Sequence, residues 1–204
     1  MLSHAAICGL VAASYSEKST WVAGDDIRAV GSQQGDEYVV AVPGTTDLQG
    51  WLDDFSFWPT AFPMIGPYHD GFGKWGLALA AMVLPALPAI GRVVFAGHSL
   101  GGQLAQVMAA IYHSKTTRQA RVVVFGCPRG ALMTNIVAGP LVRAGLEAIE
   151  YRNAGDPVPE TPPWPMWKHN AKGVEIGAPS LGAHAMALYL GNLQRREIYE
   201  RAAQ

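Results

Sequence analysis

The sequence predicts an α/β fold in which helices flank a mostly parallel central sheet. Strand-like runs rich in β-branched residues alternate with apolar segments of helical length. The continuous run at 121–126 is typical of a strand buried in the centre of a parallel sheet. Another run, Val93 to Phe95, leads through a glycine-flanked turn into a helical segment. The 204 residues contain no linker-like stretch and no internal repeat, so we predict one domain over 1–204.

The predicted elements follow one another along the whole chain. Helices are expected at 3–16, 74–84, 100–112, 132–144 and 181–203. Ser3 is a candidate N-cap for the first helix, and Pro85 ends the second. Strands are expected at 20–24, 27–30, 38–42, 93–95, 121–126, 148–152 and 174–176. A turn is expected at 33–36, and Pro-rich irregular segments at 55–65 and 160–172.

The composition excludes several classes of function. Half of the residues are hydrophobic and 15% are charged, which is enough apolar material for a buried core. The net charge of −1, without a basic cluster, argues against nucleic acid as a partner. Cys8 and Cys127 have no metal-ligand spacing, so we predict buried free thiols, no metal and no cofactor.

We predict no transmembrane segment. The longest apolar run, 76–91, is interrupted by Pro85 and Pro88 and is shorter than the roughly 20 residues that a membrane helix needs. The run from Ala5 to Ala13 resembles the core of a signal peptide, but no Lys or Arg precedes it. We therefore predict that it is the first helix of the fold and that the protein is cytoplasmic, with release by another route left open.

The segment Gly97-His98-Ser99-Leu100-Gly101 has the G-x-S-x-G pattern of a nucleophile elbow, with a strand before it and a helix after it. A serine at the apex of such a sharp turn leaves no room for side chains two residues away on either side. Gly97 and Gly101 remove those side chains, and Gly102 allows the helix to pack close to the strand. Ser99 is therefore the candidate nucleophile, and the helix N-terminus points its N–H groups toward an oxyanion beside it.

A serine nucleophile needs an acid and a histidine, which in α/β-hydrolases follow it in the order Ser, Asp or Glu, His. The acidic residues between Ser99 and the later histidines are Glu147, Glu150, Asp156 and Glu160. Asp156 is the preferred candidate because it follows a predicted strand in a Gly-Asp-Pro turn, where Pro157 fixes the backbone.

The histidines after Ser99 are His113, His169 and His184. His113 is predicted near the far end of the helix that begins beside Ser99, at the opposite end of the molecule. His184 lies beside Gly182 at the start of the last predicted helix, from where it could return to the top of the sheet. The residues favour His184 and leave His169, a loop histidine, as the alternative.

The chemistry requires all three groups together with an oxyanion hole. An imidazole takes the proton of the Ser99 hydroxyl, and Asp156 would hold that imidazole in the productive tautomer. The Leu100 N–H would donate to the tetrahedral intermediate. A second donor is expected from the turn Gly44-Thr45, which follows the predicted strand at 38–42.

These residues together resemble the class 3 (fungal-type) lipase family. The resemblance rests on Gly97 to Gly102, on Pro43-Gly44-Thr45 followed by Trp51 and Asp54, on Tyr68-His69-Asp70-Gly71-Phe72, on Gly155-Asp156-Pro157-Val158-Pro159, and on His184 followed by Ala185, Leu188 and Tyr189. The matching segments run from about Val39 to Tyr189 and occur in the order of the family. The chain differs from the family at Pro43, where Arg is usual, and at Ala183, where Asp is usual.

The resemblance implies a compact α/β-hydrolase fold and an esterase or lipase with Ser99, Asp156 and His184 as its triad. It implies that Thr45 donates to the oxyanion through its N–H and hydroxyl, and that 46–55 corresponds to a lid. It makes His69 a structural histidine near the site.

The expected substrate is a lipid or another carboxylic ester, with transient contact to a lipid interface. A cluster of aromatic side chains would line or rim the acyl site: Phe55, Phe57, Trp58, Phe62, Trp164 and Trp167. The alternatives left open are a phospholipase A1, a short-chain esterase, an acyltransferase and a catalytically idle binding module.

Overall fold

A computed structural model describes residues 1–24, 27–45, 58–132, 141, 146–163 and 165–203. The described strands are β1 Trp21–Val22, β2 Arg28–Gln34, β3 Glu37–Val42, β4 Pro59–Phe62, β5 Gly66–His69, β6 Arg92–His98, β7 Ala120–Phe125, β8 Ala131–Leu132, β9 Glu147–Asn153, β10 Trp167–Lys168 and β11 Lys172–Ile176. The described helices are α1 His4–Ala13, α2 Asp70–Val83, α3 Leu100–Thr116 and α4 Met186–Ala202, with 3₁₀ turns at Leu84–Ala86 and Val158–Glu160.

The main sheet has seven strands in the order β1-β2-β3-β6-β7-β9-β11. The five strands β3, β6, β7, β9 and β11 are parallel to one another, whereas β2 pairs antiparallel with β3 and β1 pairs antiparallel with β2 at one edge. This arrangement confirms the predicted mostly parallel sheet. Because the carboxyl ends of parallel strands meet at one edge of a sheet, the segments that follow these strands are brought together there.

Helices cover both faces of the main sheet. The side chains of α2 and α3 share one buried cluster with one face of the sheet, including Leu79, Leu104 and Val122. Those of α1 and α4 share a second cluster with the other face, including Ile7 and Tyr189. The alternation of inward and outward residues along the strands therefore creates two cores, one for each helix pair.

The structure corrects the prediction of a loop over 55–65. Residues 59–62 and 66–69 form the antiparallel hairpin β4–β5, which joins β8 and β10 in a second sheet of order β10-β8-β5-β4. Pro59, Pro63 and Pro67 hide the strand pattern in the sequence, because proline is poor in strand interiors. Pro59 is tolerated here because it begins an edge strand.

Several predicted boundaries also differ from the structure. Helix α2 begins at Asp70 rather than at 74, because Gly71 and Gly73 weaken the helical signal of its first turn. The last helix begins at Met186 rather than at 181, because Gly182 (φ 71°) is in a turn that precedes it. Strand β2 continues to Gln34, and the turn is confined to residues 35–36. The predicted helix at 132–144 lies almost entirely outside the described residues.

The cap of the first helix and the two buried cysteines agree with the sequence. Ser3 caps α1, and its Oγ accepts a hydrogen bond from the Ala6 N–H at 3.2 Å. Cys8 and Cys127 are both buried as free thiols, and burial raises their pKa values. None of the described helices is long and apolar enough to cross a membrane. The described residues contain no cluster of three or more His, Cys, Asp and Glu side chains suited to a metal ion.

Candidate active site

The predicted site residues all follow strands of the parallel sheet at its carboxyl edge. Thr45 lies just beyond β3, Ser99 directly after β6, and Asp156 just beyond β9. His184 lies in the turn between β11 and α4. The structure therefore brings to one edge four residues that are far apart in sequence.

Ser99 occupies the sharp turn between β6 and α3, with φ 55° and ψ −129°. This is a backbone conformation that residues with a side chain rarely adopt, so the turn is strained. The flanking glycines are required by contact, because a Cβ at Gly97 would overlap the backbone of Gly101. The Ser99 N–H donates to the Phe125 carbonyl at 2.9 Å and ties the turn to the end of β7. Ser99 is 2% exposed, and its Oγ has no hydrogen-bond partner among the described groups.

The turn after β3 packs directly against the Ser99 elbow. A Cβ at Gly101 would overlap the carbonyl oxygens of Val42 and Pro43, and a Cβ at Gly44 would come within 2.9 Å of the Ser99 Cβ. Leu100 is the first residue of α3, so its N–H has no acceptor within the helix. The two predicted oxyanion donors, Thr45 and Leu100, thus belong to backbone segments that touch at Ser99.

The buried Asp156 and the partly buried His184 form a hydrogen-bonded pair. The His184 Nδ1 lies 2.9 Å from Oδ2 of Asp156 and 3.1 Å from Oδ1. Since an ionised carboxylate only accepts, Nδ1 carries the proton and Nε2 is left free to accept one. This is the tautomer that a general base beside a serine requires.

The carboxylate of Asp156 is fully buried, and further donors compensate for its loss of water. Tyr189 donates its hydroxyl to Oδ2 at 2.6 Å, and the Val158 N–H donates to Oδ1 at 2.9 Å. Burial and the neighbouring Asp156 raise the pKa of Tyr189, which keeps the hydroxyl protonated as a donor. With His184 these groups hold both carboxylate oxygens in place.

The acid turn and the histidine turn are joined by Asn153 at the end of β9. Its side chain donates to the Ala183 carbonyl at 2.7 Å and accepts from Asn192 of α4 at 2.8 Å. Its N–H donates to the hydroxyl of Tyr189 at 3.0 Å. Asn153 and Tyr189 therefore stabilise the backbone on both sides of the Asp156–His184 pair.

His98, the residue before Ser99, is also buried and packs against His184, with ring centroids 4.6 Å apart. Burial, and next the proximity of His184, lowers the pKa of His98 to about 3, so its ring is neutral around pH 7. The sequence indicated His98 only as a variable position of the motif. The hydroxyl of Tyr15, a residue between α1 and β1, lies 2.6 Å from Nδ1 of His98. Tyr15 was not predicted as part of the site, because a hydrogen bond between residues 83 apart in sequence leaves no local pattern.

The other candidate acids and bases contact groups other than Asp156 and His184. The His169 Nδ1 is 2.9 Å from Glu150 Oε2, and Glu150 also binds Arg152. His113 is near the end of α3, where its Nδ1 donates to the Arg118 carbonyl at 3.0 Å. Glu160 pairs with Arg129 at the surface. His184 is thus the histidine that meets the preferred acid.

His69 is buried between Phe72 and Trp167, with ring centroids 4.3 and 5.4 Å from its own. Burial lowers the pKa of His69 to about 4. Trp167 itself is 1% exposed, whereas Trp58 is 77% exposed. The proposed lid at 46–55 and the predicted rim residues Phe55, Phe57 and Trp164 lie outside the described residues.

A parallel sheet with a strand–serine–helix elbow and an Asp–His pair at its carboxyl edge defines an α/β-hydrolase. Comparison with known families agrees: residues 39–166 match the family described as lipase (class 3). The chain belongs to the class 3 lipase family.

The individual proteins that resemble this chain do so at low sequence identity. The secreted mono- and diacylglycerol lipase 1 of Fusarium solani is 29% identical over 171 residues, which are 78% of this chain and 47% of that protein. The Rhizomucor miehei triacylglyceride lipase superposes with a TM-score of 0.66 at 22% identity, over 78% of this chain and 64% of that one. The Lip2 lipase of Yarrowia lipolytica gives 0.60 at 18% identity, over 73% and 61%.

The solved structures share the fold with this chain. The chain spans about half the length of the Fusarium protein and less than two thirds of the Rhizomucor and Yarrowia lipases.

Proposed function

We propose that the protein is a serine carboxylic-ester hydrolase of the lipase or esterase type that acts on lipid esters. The observation that supports this most directly is the hydrogen-bonded Asp156–His184 pair, at the sheet edge that also carries the strained Ser99. Membership of the class 3 lipase family supports the same activity.

In the proposed reaction, the His184 Nε2 takes the hydroxyl proton of Ser99 as Oγ attacks the ester carbonyl. The tetrahedral intermediate collapses when the bond to the alcohol oxygen breaks and His184 returns the proton to that oxygen. Water then attacks the acyl-enzyme in the same manner and releases the carboxylic acid and free Ser99. Asp156 stabilises the transient imidazolium without itself accepting the proton.

The negative charge on the intermediate requires donors next to Ser99. The Leu100 N–H at the start of α3, and Thr45 through its N–H and hydroxyl, are our assignments for this oxyanion hole. The contact between the Gly44 turn and the elbow supports this assignment. No metal or cofactor takes part in the proposed steps.

The substrate class is drawn from the relatives, which are named as lipases of mono- and diacylglycerols and of triacylglycerides. We propose a lipid ester for this chain, reached through transient contact with a lipid surface. A phospholipase A1 and a short-chain esterase use the same site chemistry and differ only in the groups that bind the acyl chain and head group.

The test is a substrate panel with Ser99→Ala as the blank. Hydrolysis of butyrate and laurate esters, diacylglycerol and phosphatidylcholine vesicles is compared for the two proteins, together with labelling by a fluorophosphonate probe. We expect ester hydrolysis and probe labelling in the wild type, and neither in Ser99→Ala. The relative rates rank the lipase, phospholipase and short-chain esterase.

A catalytically idle module is the competing function. It predicts that the wild type neither reacts with the probe nor hydrolyses any ester of the panel. Hydrolysis that persists in Ser99→Ala would contradict the proposed mechanism.

A further inference from the structure

A chain of partly buried hydrogen bonds links the two turns on either side of Ser99. The Gly44 N–H lies 2.8 Å from the hydroxyl of Tyr15, and that hydroxyl lies 2.6 Å from Nδ1 of His98. The Nε2 of the same His98 ring lies 2.9 Å from the main-chain carbonyl of His184.

The proton positions in this chain follow from its two ends. The Gly44 N–H can only donate, so the Tyr15 oxygen accepts from it. The His184 carbonyl can only accept, so Nε2 of His98 carries a proton. Because the His98 ring is neutral, its Nδ1 accepts the proton that Tyr15 donates. Every donor therefore meets an acceptor in one consistent direction.

We propose that Tyr15 and His98 are positioning residues that hold the oxyanion turn and the backbone of the base at fixed places relative to Ser99. This inference rests on the proposed ester hydrolysis. It adds two residues that touch neither the substrate nor the reacting atoms.

The oxyanion turn needs such a restraint. The site of Gly44 has no room for a side chain, because a Cβ there would come within 2.9 Å of the Ser99 Cβ and 2.8 Å of the Tyr15 hydroxyl. A glycine without such restraint samples many backbone conformations. The hydrogen bond from its N–H to Tyr15 fixes the Pro43–Gly44 peptide, which is one peptide before the N–H of Thr45, the proposed second donor.

The base is held in two independent ways. Asp156 fixes the imidazole of His184 through Nδ1, whereas His98 fixes the main chain of the same residue. The preceding turn contains Gly182 at φ 71°, so its backbone gains little rigidity from local sterics. Since His98 is covalently joined to Ser99, its bond to His184 connects the base directly to the nucleophile's own backbone.

The ionisation states support a constant arrangement around pH 7. The titratable groups that face His98 are His184, Asp156, Tyr15 and Tyr189. Burial lowers the pKa of His98 to about 3 and raises that of Tyr15 to about 12. The donor and acceptor roles therefore stay the same over the pH range in which His184 would work as a base.

Three variants test the hydrogen bonds made by Tyr15 and His98 separately. Tyr15→Phe removes one hydroxyl and keeps the ring. His98→Gln places an amide group at the position of Nε2 and so keeps a donor for the His184 carbonyl. His98→Asn places its amide group near Nδ1 and loses that donor. Tyr112→Phe, at a buried tyrosine in the distant half of α3, is the matched control.

Each variant is titrated with a fluorophosphonate to count intact sites, and the acylation rate is then expressed per titrated site. KM and kcat are measured separately on a soluble butyrate ester. We expect Tyr15→Phe to slow acylation per site roughly 10-fold with KM within about twofold, as one lost hydrogen bond allows. His98→Asn should slow it more than His98→Gln, and Tyr112→Phe should leave it unchanged.

A wild-type acylation rate per titrated site in Tyr15→Phe would overturn the inference, even if fewer sites were intact, because the hydroxyl would then serve folding alone. Equal rates for His98→Gln and His98→Asn would overturn the role of the bond to His184. A wild type that neither hydrolyses any ester of the panel nor reacts with the probe, in contrast, would remove the proposed function itself, so the two failures are distinguishable.

Discussion

The backbone of Gly126 lies against the carboxylate of Asp156. A Cβ at position 126 would come within 2.8 Å of Oδ2 of Asp156 and 3.1 Å of Nδ1 of His184. Gly126 directly follows β7 and has φ 54°, so it combines a close contact with a conformation that favours glycine.

Gly126→Ala is therefore expected to displace the Asp156–His184 pair. We expect kcat on a butyrate ester to fall by at least about 100-fold, since Ångström-scale misplacement of catalytic groups has effects of this size. Gly35→Ala is the control, because Gly35 has φ 60° and open space around its Cβ position. It should lose about 1 kcal/mol of stability from backbone strain and keep its kcat. Equal kcat losses in both variants would contradict this prediction.

Tyr189→Phe tests the support of the acid. The change removes a donor to Asp156 and leaves the buried Asn153 N–H without its acceptor, which costs about 1–3 kcal/mol. We expect a lower urea midpoint and a kcat reduced by roughly 10-fold. Tyr199→Phe, on the same helix and 74% exposed, should change neither quantity. A Tyr189→Phe protein with wild-type stability would show that water replaces the hydroxyl.

Ser99→Gly should be more stable than the wild type. Glycine adopts φ 55° without the steric cost that serine bears, so we expect the free energy of unfolding to rise by about 1 kcal/mol. Ester hydrolysis should be lost at the same time. Ser99→Ala keeps the Cβ and should show no such gain, so equal unfolding energies for the two variants would argue against backbone strain at this position.

Stability should depend on pH through two buried histidines. The folded-state pKa values of His69 and His98 are lowered to about 4 and about 3, below the unfolded value of about 6.5. Unfolding therefore takes up protons below pH 6.5, and the free energy of unfolding falls as the pH falls toward 4. Each histidine contributes a slope of about 1.4 kcal/mol per pH unit in this range.

Urea unfolding at pH 7.5, 6, 5 and 4.5 measures this dependence. His69→Gln removes one of the two histidines that take up a proton on unfolding. The slope of its unfolding free energy against pH should therefore be smaller than that of the wild type by about 1.4 kcal/mol per pH unit. Parallel curves for the two proteins would show that His69 is protonated in the folded state.

The parts of the fold that follow from local pattern were predictable. Strands β6 and β7 consist almost entirely of apolar residues bounded by glycine, and the elbow motif lies between β6 and α3. The Asp156 turn was recognisable because Gly-Asp-Pro favours a turn wherever it occurs. The prolines of the hairpin β4–β5 had the opposite effect and concealed two strands.

The supporting residues of the site were not predictable in the same way. Tyr15, Gly126 and Asn153 carry no motif, because their roles depend on contacts made only after the sheet has assembled. Tyr189 lies near His184 in sequence, but its hydroxyl reaches Asp156, 33 residues earlier in the chain. Such pairings are set by strand order rather than by neighbouring residues.

The hydrogen bonds of His98 join residues that are far apart in sequence, and this separation bears on when the site forms during folding. Its link to Tyr15 joins residues 83 apart in the chain, and its link to His184 joins residues 86 apart. During synthesis, Ser99 and its strand emerge long before His184 does. Closing such long loops is entropically costly and occurs late. We therefore expect a nascent chain that contains Ser99 but not His184 to show no labelling by a fluorophosphonate probe, and the appearance of labelling to report the final steps of folding.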